Sequence, residues 1–337
     1  MVRSFCKTIC AHLAFALVLL VAVAPVGAGV LDGLGTVGSG NAGPGATLFP
    51  DLMHTERGLY FGPSNSFALG VVGADAGEVL APGNQVDQMV ALATSGDVTL
   101  AILTLGDNDY IDVAEEIGDG TIAGAALLAL HQEVATNIAT AVNAVRAAGA
   151  KVVLGGFANF TDSPAAAAIK ADPVMRARLL NALDDGNKLV ADFATAEGIP
   201  FIDFFNLGKD VYDNGSVQIG GVDLILEGYD TDPHYFFEDP FHAGILVRAA
   251  IANFYLDAIN KGYGTNLPLL SDLEILALGG LENEYVGETL ADTYDFEVYV
   301  QVPEPSSFAL AALSVVAMLA AGRRAARGRR CREAASV

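Results

Sequence analysis

The chain is predicted to be an α/β protein, with a central parallel sheet covered on both faces by helices. Three observations predict it. Residues 98–105, VTLAILTL, form an unbroken apolar run after the turn-like TSGD, which suits a strand buried on both faces. Two further short apolar runs follow, KVVLGGF at 151–157 and PFIDFF at 200–205. A long helical stretch separates each run from the next, and strands alternating with helices pair in parallel because each helix carries the chain back across the sheet.

Taken in order, the first helical stretch runs from about 125 to 148 and stops at Gly149; the second covers 172–197 and is closed by Gly198-Ile199-Pro200. Between Lys209 and Phe237 the chain turns rich in Gly, Asp and Tyr, which predicts a long irregular excursion with a short hairpin around VQIGGVDL. A last helix is expected over about 243–260. Ahead of residue 98 the prediction is thinner. If the first 28 residues are removed, little apolar chain remains to build a buried first strand.

Those 28 residues have the three-part layout of a secretory signal peptide: Arg3 and Lys7, an apolar run from Leu13 to Ala24, then the small residues PVGA ending at Ala28. The apolar run is short for a membrane span. At the other end, VPEPSSFALAALSVVAMLAAGRRAARGRR joins a Val-Pro-Glu-Pro motif to an apolar segment, 308–321, and an arginine cluster. This order resembles the PEP-CTERM sorting signal of Gram-negative bacteria. The resemblance implies transient inner-membrane association through the tail, processing by an exosortase-type enzyme, and a destination at the cell surface, outer membrane or extracellular matrix. An ordinary C-terminal membrane anchor with its arginines inside is the alternative. The expected organisation is a signal peptide at 1–28, one domain at 29–285, a linker at 286–302 and the sorting signal at 303–330.

All three cysteines, Cys6, Cys10 and Cys331, lie in the end segments, so the processed chain has no thiol for a disulfide, a nucleophile or a metal site. The whole chain carries a formal charge of −22; without the ends, 10 basic residues face 38 acids, about −28. Such a surface repels nucleic acid. Neutral or cationic substrates are favoured.

An open parallel sheet places its chemistry at the carboxyl ends of its strands. There the sequence sets LTLGDNDY, with Gly106, Asp107, Asn108 and Asp109 in the turn after the apolar strand. Taken alone, such a turn is what many strand exits use. A second element, DPFH, puts Asp239 three residues before His242. A carboxylate so placed fixes the tautomer of the imidazole and leaves its other nitrogen as a base, although an Asp before Pro also serves as a plain turn residue.

GxND after a central strand, followed about 130 residues later by DxxH before the last helix, resembles the GDSL or SGNH hydrolases. Further blocks extend the resemblance over roughly residues 48–280: ERGLYFGPSNSFALGVVGADAGEVL at 56–80, SGDVTLAILTLGDNDYID at 95–112, and INKGYGTNLPLLSDLEIL at 259–276, which is similar to the tail of exported, PEP-CTERM-bearing members. The resemblance implies a flavodoxin-like three-layer sandwich of the SGNH type, ester hydrolysis without a cofactor, and a small-molecule or polysaccharide ester as substrate. It gives His242 the role of general base, Asp239 that of its orienting partner, and Asn108 and the backbone NH of Gly73 those of oxyanion donors. Because NSFALGVVGA is longer than the family's usual block, Gly70 is an alternative to Gly73.

The family's Gly-Asp-Ser-Leu block is absent. Matching GNAG to the longer family form sets Leu34 and Gly35 where Asp and Ser belong, whereas matching GS makes Ser39 the nucleophile. Three readings stay open: a displaced nucleophile at Ser39, a lost block, or a coding sequence faulty at its 5′ end. Two functions follow, an exported esterase or a catalytically silent surface or matrix protein that binds glycans or esters. Among the other histidines, His131 falls in a helical pattern and His54 has no partner in view. His234 sits among Asp230, Asp232, Glu238, Asp239 and His242, an oxygen-rich group that suits a divalent ion but lacks the rest of a calcium loop. No metal site is assigned.

Overall fold

The computed structural model describes residues 34–38 and 67–303. The proposed signal peptide, His54, Ser39 and the apolar tail segment fall outside the described residues.

A five-stranded sheet forms the middle layer. Strands β1 (Leu34–Gly38), β2 (Leu100–Thr104), β3 (Lys151–Gly155) and β4 (Phe201–Ile202) pair in parallel, and β7 (Val300–Gln301) closes the edge antiparallel to β4. On the free side of β1, residues 67–71 run parallel to it: Thr36 N–H donates to Phe67 O, and the N–H groups of Leu69 and Val71 donate to Thr36 O and Gly38 O. The spatial order is therefore segment 67–71, β1, β2, β3, β4, the 2-1-3-4-5 order of flavodoxin-like sheets. The expected α/β sandwich is what forms.

The first strand corrects the sequence expectation. LGTVG builds β1 with only two large apolar residues, because its neighbours supply the burial. Its register, Leu34 on Leu100 through Gly38 on Thr104, puts the glycines where other groups crowd in. A Cβ on Gly35 would meet Met89 Cε at 2.4 Å, and one on Gly38 would meet the Thr104 carbonyl oxygen at 1.9 Å. Apolar content was the wrong criterion for this strand; close backbone approach decided it.

Period-two alternation divides the core into two. Ala101 and Leu103 of β2 face helices α1 (Gln85–Ser95), α3 (Ala125–Ala147) and α4 (Pro173–Glu197), whereas Leu100 and Ile102 face α5 (Phe204–Asn214), α6 (Ile245–Tyr263) and α7 (Asp272–Leu278). Between β2 and α3 a short helix, α2 (Asp107–Ile111), starts at Gly106. The helix at 172–197 is capped as its sequence indicates: the Asp172 carboxylate accepts from the N–H groups of Val174 and Met175, and Gly198 closes it at φ 67°.

Two other expectations need correction. PFIDFF supplies only a two-residue strand, because Asp203 caps α5, accepting from Asn206 N–H, and the chain stays helical to Asn214. The excursion is therefore irregular only after residue 214. It holds the expected hairpin, β5 (Gln218–Ile219) and β6 (Val222–Asp223), joined through Gly220 and Gly221, both at positive φ as a tight two-residue turn requires. Residues 286–302, read as a linker, instead pack Leu290, Tyr294 and Tyr299 into the core and supply β7. The buried Asp272 carboxylate holds this return by accepting from Gly220, Thr289 and Leu290 N–H groups.

Candidate functional site

In a 2-1-3-4-5 sheet the strand order reverses between β1 and β2, and the crevice outside their carboxyl ends is where ligands bind. Gly38 ends β1 there, with its N–H donated to Gln85 Oε1 (2.8 Å). Beside it β2 exits through Gly106, whose φ of 106° admits the turn, and Asp107, Asn108 and Asp109 begin α2. Leu34 and Gly35 lie at the opposite, amino end of the same strand.

Each side chain of this turn has a different task. Asn108 Nδ2 donates to the carbonyl of Ala74 (2.9 Å), joining the turn to the residue after Gly73. That bond uses one of its two amide protons. Gly73, at φ 80°, is exposed in the tight turn 71–74, and no atom lies within 4 Å of where its Cβ would be. Asp109 Oδ2 accepts from Ala76 N–H (2.8 Å), fastening the same loop from its other side. Asp107 Oδ1 accepts from Ala158 N–H (2.7 Å) at the exit of β3. Burial pushes both carboxyls up to about 6, against these hydrogen bonds; the charge of Asp109 adds to the rise at Asp107, and those of Asp75 and Glu133 add to it at Asp109.

The Asp239–His242 turn is built as the spacing predicts. His242 Nδ1 lies 2.6 Å from Asp239 Oδ2, while Asp239 Oδ1 accepts from the backbone N–H groups of Phe241 (2.8 Å) and His242 (2.7 Å). Burial alone would raise the Asp239 carboxyl, but these donors outweigh it and hold it below its ordinary value. An ionised carboxylate only accepts, so Nδ1 carries a proton and Nε2 is left as the basic nitrogen. The imidazole side chain is 33% exposed, open enough to be reached.

What holds this turn was not foreseen. Glu238 makes a two-pronged ion pair with Arg248, at 2.7 and 2.9 Å, and Arg248 is 5% exposed in the first turns of α6. The available signal was a lone arginine in the apolar run ILVRAAIANF, a position that calls for an acid partner. Glu238 N–H also donates to His242 O, closing the loop on itself.

A cavity of about 470 Å³ opens among these elements, within the range of small-molecule sites. Gly38, Gly70, Thr104 and Asp107 form part of its wall, and so do Phe241 and Ala243, the residues on either side of His242. The structure thus brings the β1 and β2 exits and the histidine turn around one space. Gly70 lines it, whereas Gly73 is not among its lining residues. His131 is a buried core residue, its Nδ1 2.7 Å from the Tyr110 hydroxyl, and burial holds its pKa down. His234 pairs with Asp232 (2.7 Å) and Glu284 (3.3 Å), and the pairing raises its pKa. Among the described residues, no group of three or more His, Cys, Asp or Glu side chains is placed to hold a metal ion. Nor is any described helix long and apolar enough to cross a membrane.

No curated protein matches the chain in sequence. Among solved structures, the chain is similar to a catalytic mutant of Axe2, an acetylxylan esterase from Geobacillus stearothermophilus, at 14% identity over 70% of this chain and 95% of that one, with a TM-score of 0.41. It is also similar to phospholipase A1 from Streptomyces albidoflavus (18%, 69% and 100%, TM-score 0.45) and an extracellular lipase from Streptomyces rimosus (19%, 68% and 99%, TM-score 0.44). The architecture stands on its own strand order and not on these likenesses. One family model matches, over residues 301–330, and it settles the tail: this chain carries the PEP-CTERM protein-sorting motif, a signal for export to the cell surface.

Proposed function

We propose that the protein is an exported ester hydrolase of the SGNH type. The observation that carries the reading is the Asp239–His242 pair, a tautomer-fixed imidazole set between Phe241 and Ala243, two residues of the cavity wall. In this reading His242 Nε2 takes the proton of the nucleophile and Asp239 orients the ring. Asn108, through its second amide proton, and the backbone N–H of Gly73 or Gly70 stabilise the oxyanion. Donors of this kind are each worth about 3 kcal/mol in acyl transfer.

Ser39 is the proposed nucleophile because it is the residue bonded to Gly38, where β1 ends at the switch point. The competing alignment on Leu34 and Gly35 is disfavoured, since both sit at the far end of the strand. Gly38 itself admits no side chain beside Thr104, so the aspartate that precedes the serine in the family has no place there.

The test is fluorophosphonate labelling of the purified protein, read by peptide mass spectrometry beside hydrolysis of a short-chain nitrophenyl ester. An adduct on Ser39 that His242→Ala abolishes is expected. An adduct on another serine moves the nucleophile and keeps the chemistry. A folded protein with neither label nor hydrolysis overturns the enzyme reading and leaves a fold that binds without turnover.

A further inference from the structure

The cavity between the strand exits and the histidine turn has a wall that is apolar where it is open. Six large apolar side chains line it without being fully buried: Val72 in the turn 71–74, Phe204 and Leu207 on α5, Ile251 on α6, and Phe236 and Phe241 in the loop that carries His242. Val72 is 63% exposed and Phe241 48%, and both share this wall with Thr104 and Asp107, so the apolar surface begins beside the proposed chemistry. Phe204 is held by ring contacts with Phe254 and Tyr255, at 6.3 and 5.5 Å between centroids, and Phe236 by Phe237 at 4.9 Å. A wall fixed in this way is ready before a ligand arrives, which lowers the cost of binding.

Few polar side chains of the wall are left to a ligand. The Thr104 and Tyr255 hydroxyls bond each other at 2.7 Å, the Tyr294 hydroxyl donates to Ser216 O at 3.0 Å, and Asn159 Oδ1 accepts from the N–H and the hydroxyl of Thr161. Asn159 Nδ2, Ser163 Oγ and the Tyr212 hydroxyl are shielded from solvent. Among the described residues of the wall, Asp107 is the only acid and none is basic. A carbohydrate brings several hydroxyls that such a wall leaves unpaired, and an anion finds no cation. A hydrocarbon loses nothing there, and each methylene it buries improves affinity about fourfold.

We infer that this cavity holds a neutral aliphatic chain of the substrate, about eight carbons or longer, and that the protein favours such esters over acetylated glycans. The volume allows it: 470 Å³ is roughly three times the 150 Å³ of an apolar cavity that takes up benzene. As a statement about the substrate, the inference rests on the hydrolase reading. Chain binding itself needs no nucleophile and is measured without turnover.

The test titrates the full-length protein with N-phenyl-1-naphthylamine, a neutral apolar fluorophore, and displaces it with 1-decanol, 1-butanol or an acetylated cellobiose. Decanol is expected to bind at least about a hundredfold more tightly than butanol, and the acetylated cellobiose not at all. Leu207→Gln and Val72→Ser each put a polar group into the wall and are expected to lower the decanol-to-butanol ratio about threefold. Val72→Ser, at a position 63% exposed, is expected to keep the wild-type melting temperature. A ratio near one overturns the inference, and so does a ratio unchanged in both variants, which places the alcohol elsewhere on the chain. Displacement by acetylated cellobiose as readily as by decanol, or a folded protein that takes up none of these, overturns it as well. Hydrolysis then separates the two readings, with nitrophenyl decanoate expected to exceed nitrophenyl acetate in kcat/KM. A preference for the acetate overturns the substrate inference and leaves the hydrolase reading, whereas decanol bound without any hydrolysis overturns the hydrolase reading and leaves the chain site standing.

Discussion

At the scale of single residues, the informative group is Asp107. It lines the cavity, accepts from Ala158 N–H, and is held by burial at about 6, above its ordinary value of 3.8. The sign follows from proton binding. Between pH 4 and 6 the folded state holds more protons than the unfolded state, so stability falls as pH rises through that window. The ionised form is penalised in full above pH 6. Asp107→Asn keeps the acceptor and removes the charge, and it is expected to be more stable than wild type by on the order of 1 kcal/mol at pH 8 and equal to it at pH 4. Urea melts at the two pH values check this; an equal gain at both would mean that the charge is not the cause. Asp239 behaves in the opposite way. Its carboxyl is held below its ordinary value, so its contribution is present above about pH 4 and is lost on further acidification.

At the scale of elements, the catalytic proposal depends on a short loop, 236–244, held by α6. Glu238 and Arg248 fasten its start to the helix, Gly244 N–H donates to Phe236 O (2.7 Å) at its end, and Pro240 O accepts from Ala165 N–H (3.0 Å) across the crevice. Removing one partner of a buried pair leaves the other charge uncompensated. Arg248→Met is expected to cost about 3–5 kcal/mol, and Arg248→Met with Glu238→Gln to recover more than half of it. Denaturant titration measures both. The NMR signal of the His242 Nδ1 proton is expected far downfield in wild type and broadened in the single variant, because the turn loses its anchor. An unchanged signal beside lost stability would mean that the pair supports α6 and not the histidine.

At the scale of the whole molecule, the sheet separates two cores, and the chain returns after α7 to complete the second. Leu290, Tyr294, Tyr299 and Val300 are all buried, and β7 covers the edge of β4. Four large apolar side chains stabilise by roughly 1.5–3 kcal/mol each, comparable with the whole stability of about 5–15 kcal/mol of a typical domain. A chain ended at residue 285, the domain boundary expected from the sequence, is therefore expected to be unfolded or aggregated, since it also bares a strand edge. One ended at 303 is expected to melt cooperatively. Circular dichroism melts of the two check this, and equal melting temperatures would restore the linker reading.

The sequence by itself determined the features that are local. The apolar runs gave β2 and β3, the Gly and Pro stops gave the ends of α3 and α4, Gly220-Gly221 gave the hairpin, and Asp239 and His242 make their bond within a single turn. All of these depend on neighbours three or four residues away, which a linear pattern records. Tertiary structure alone decided β1, whose glycines are selected by Met89 and Thr104, and β7, a two-residue strand far too short to announce itself. It also decided the pairing of Glu238 with Arg248 and the approach of the β1 and β2 exits to Phe241 and Ala243 around one cavity. In each of these the interaction is long-range, and the partner that gives a residue its meaning is set by how the strands order themselves, not by what stands beside it in the chain.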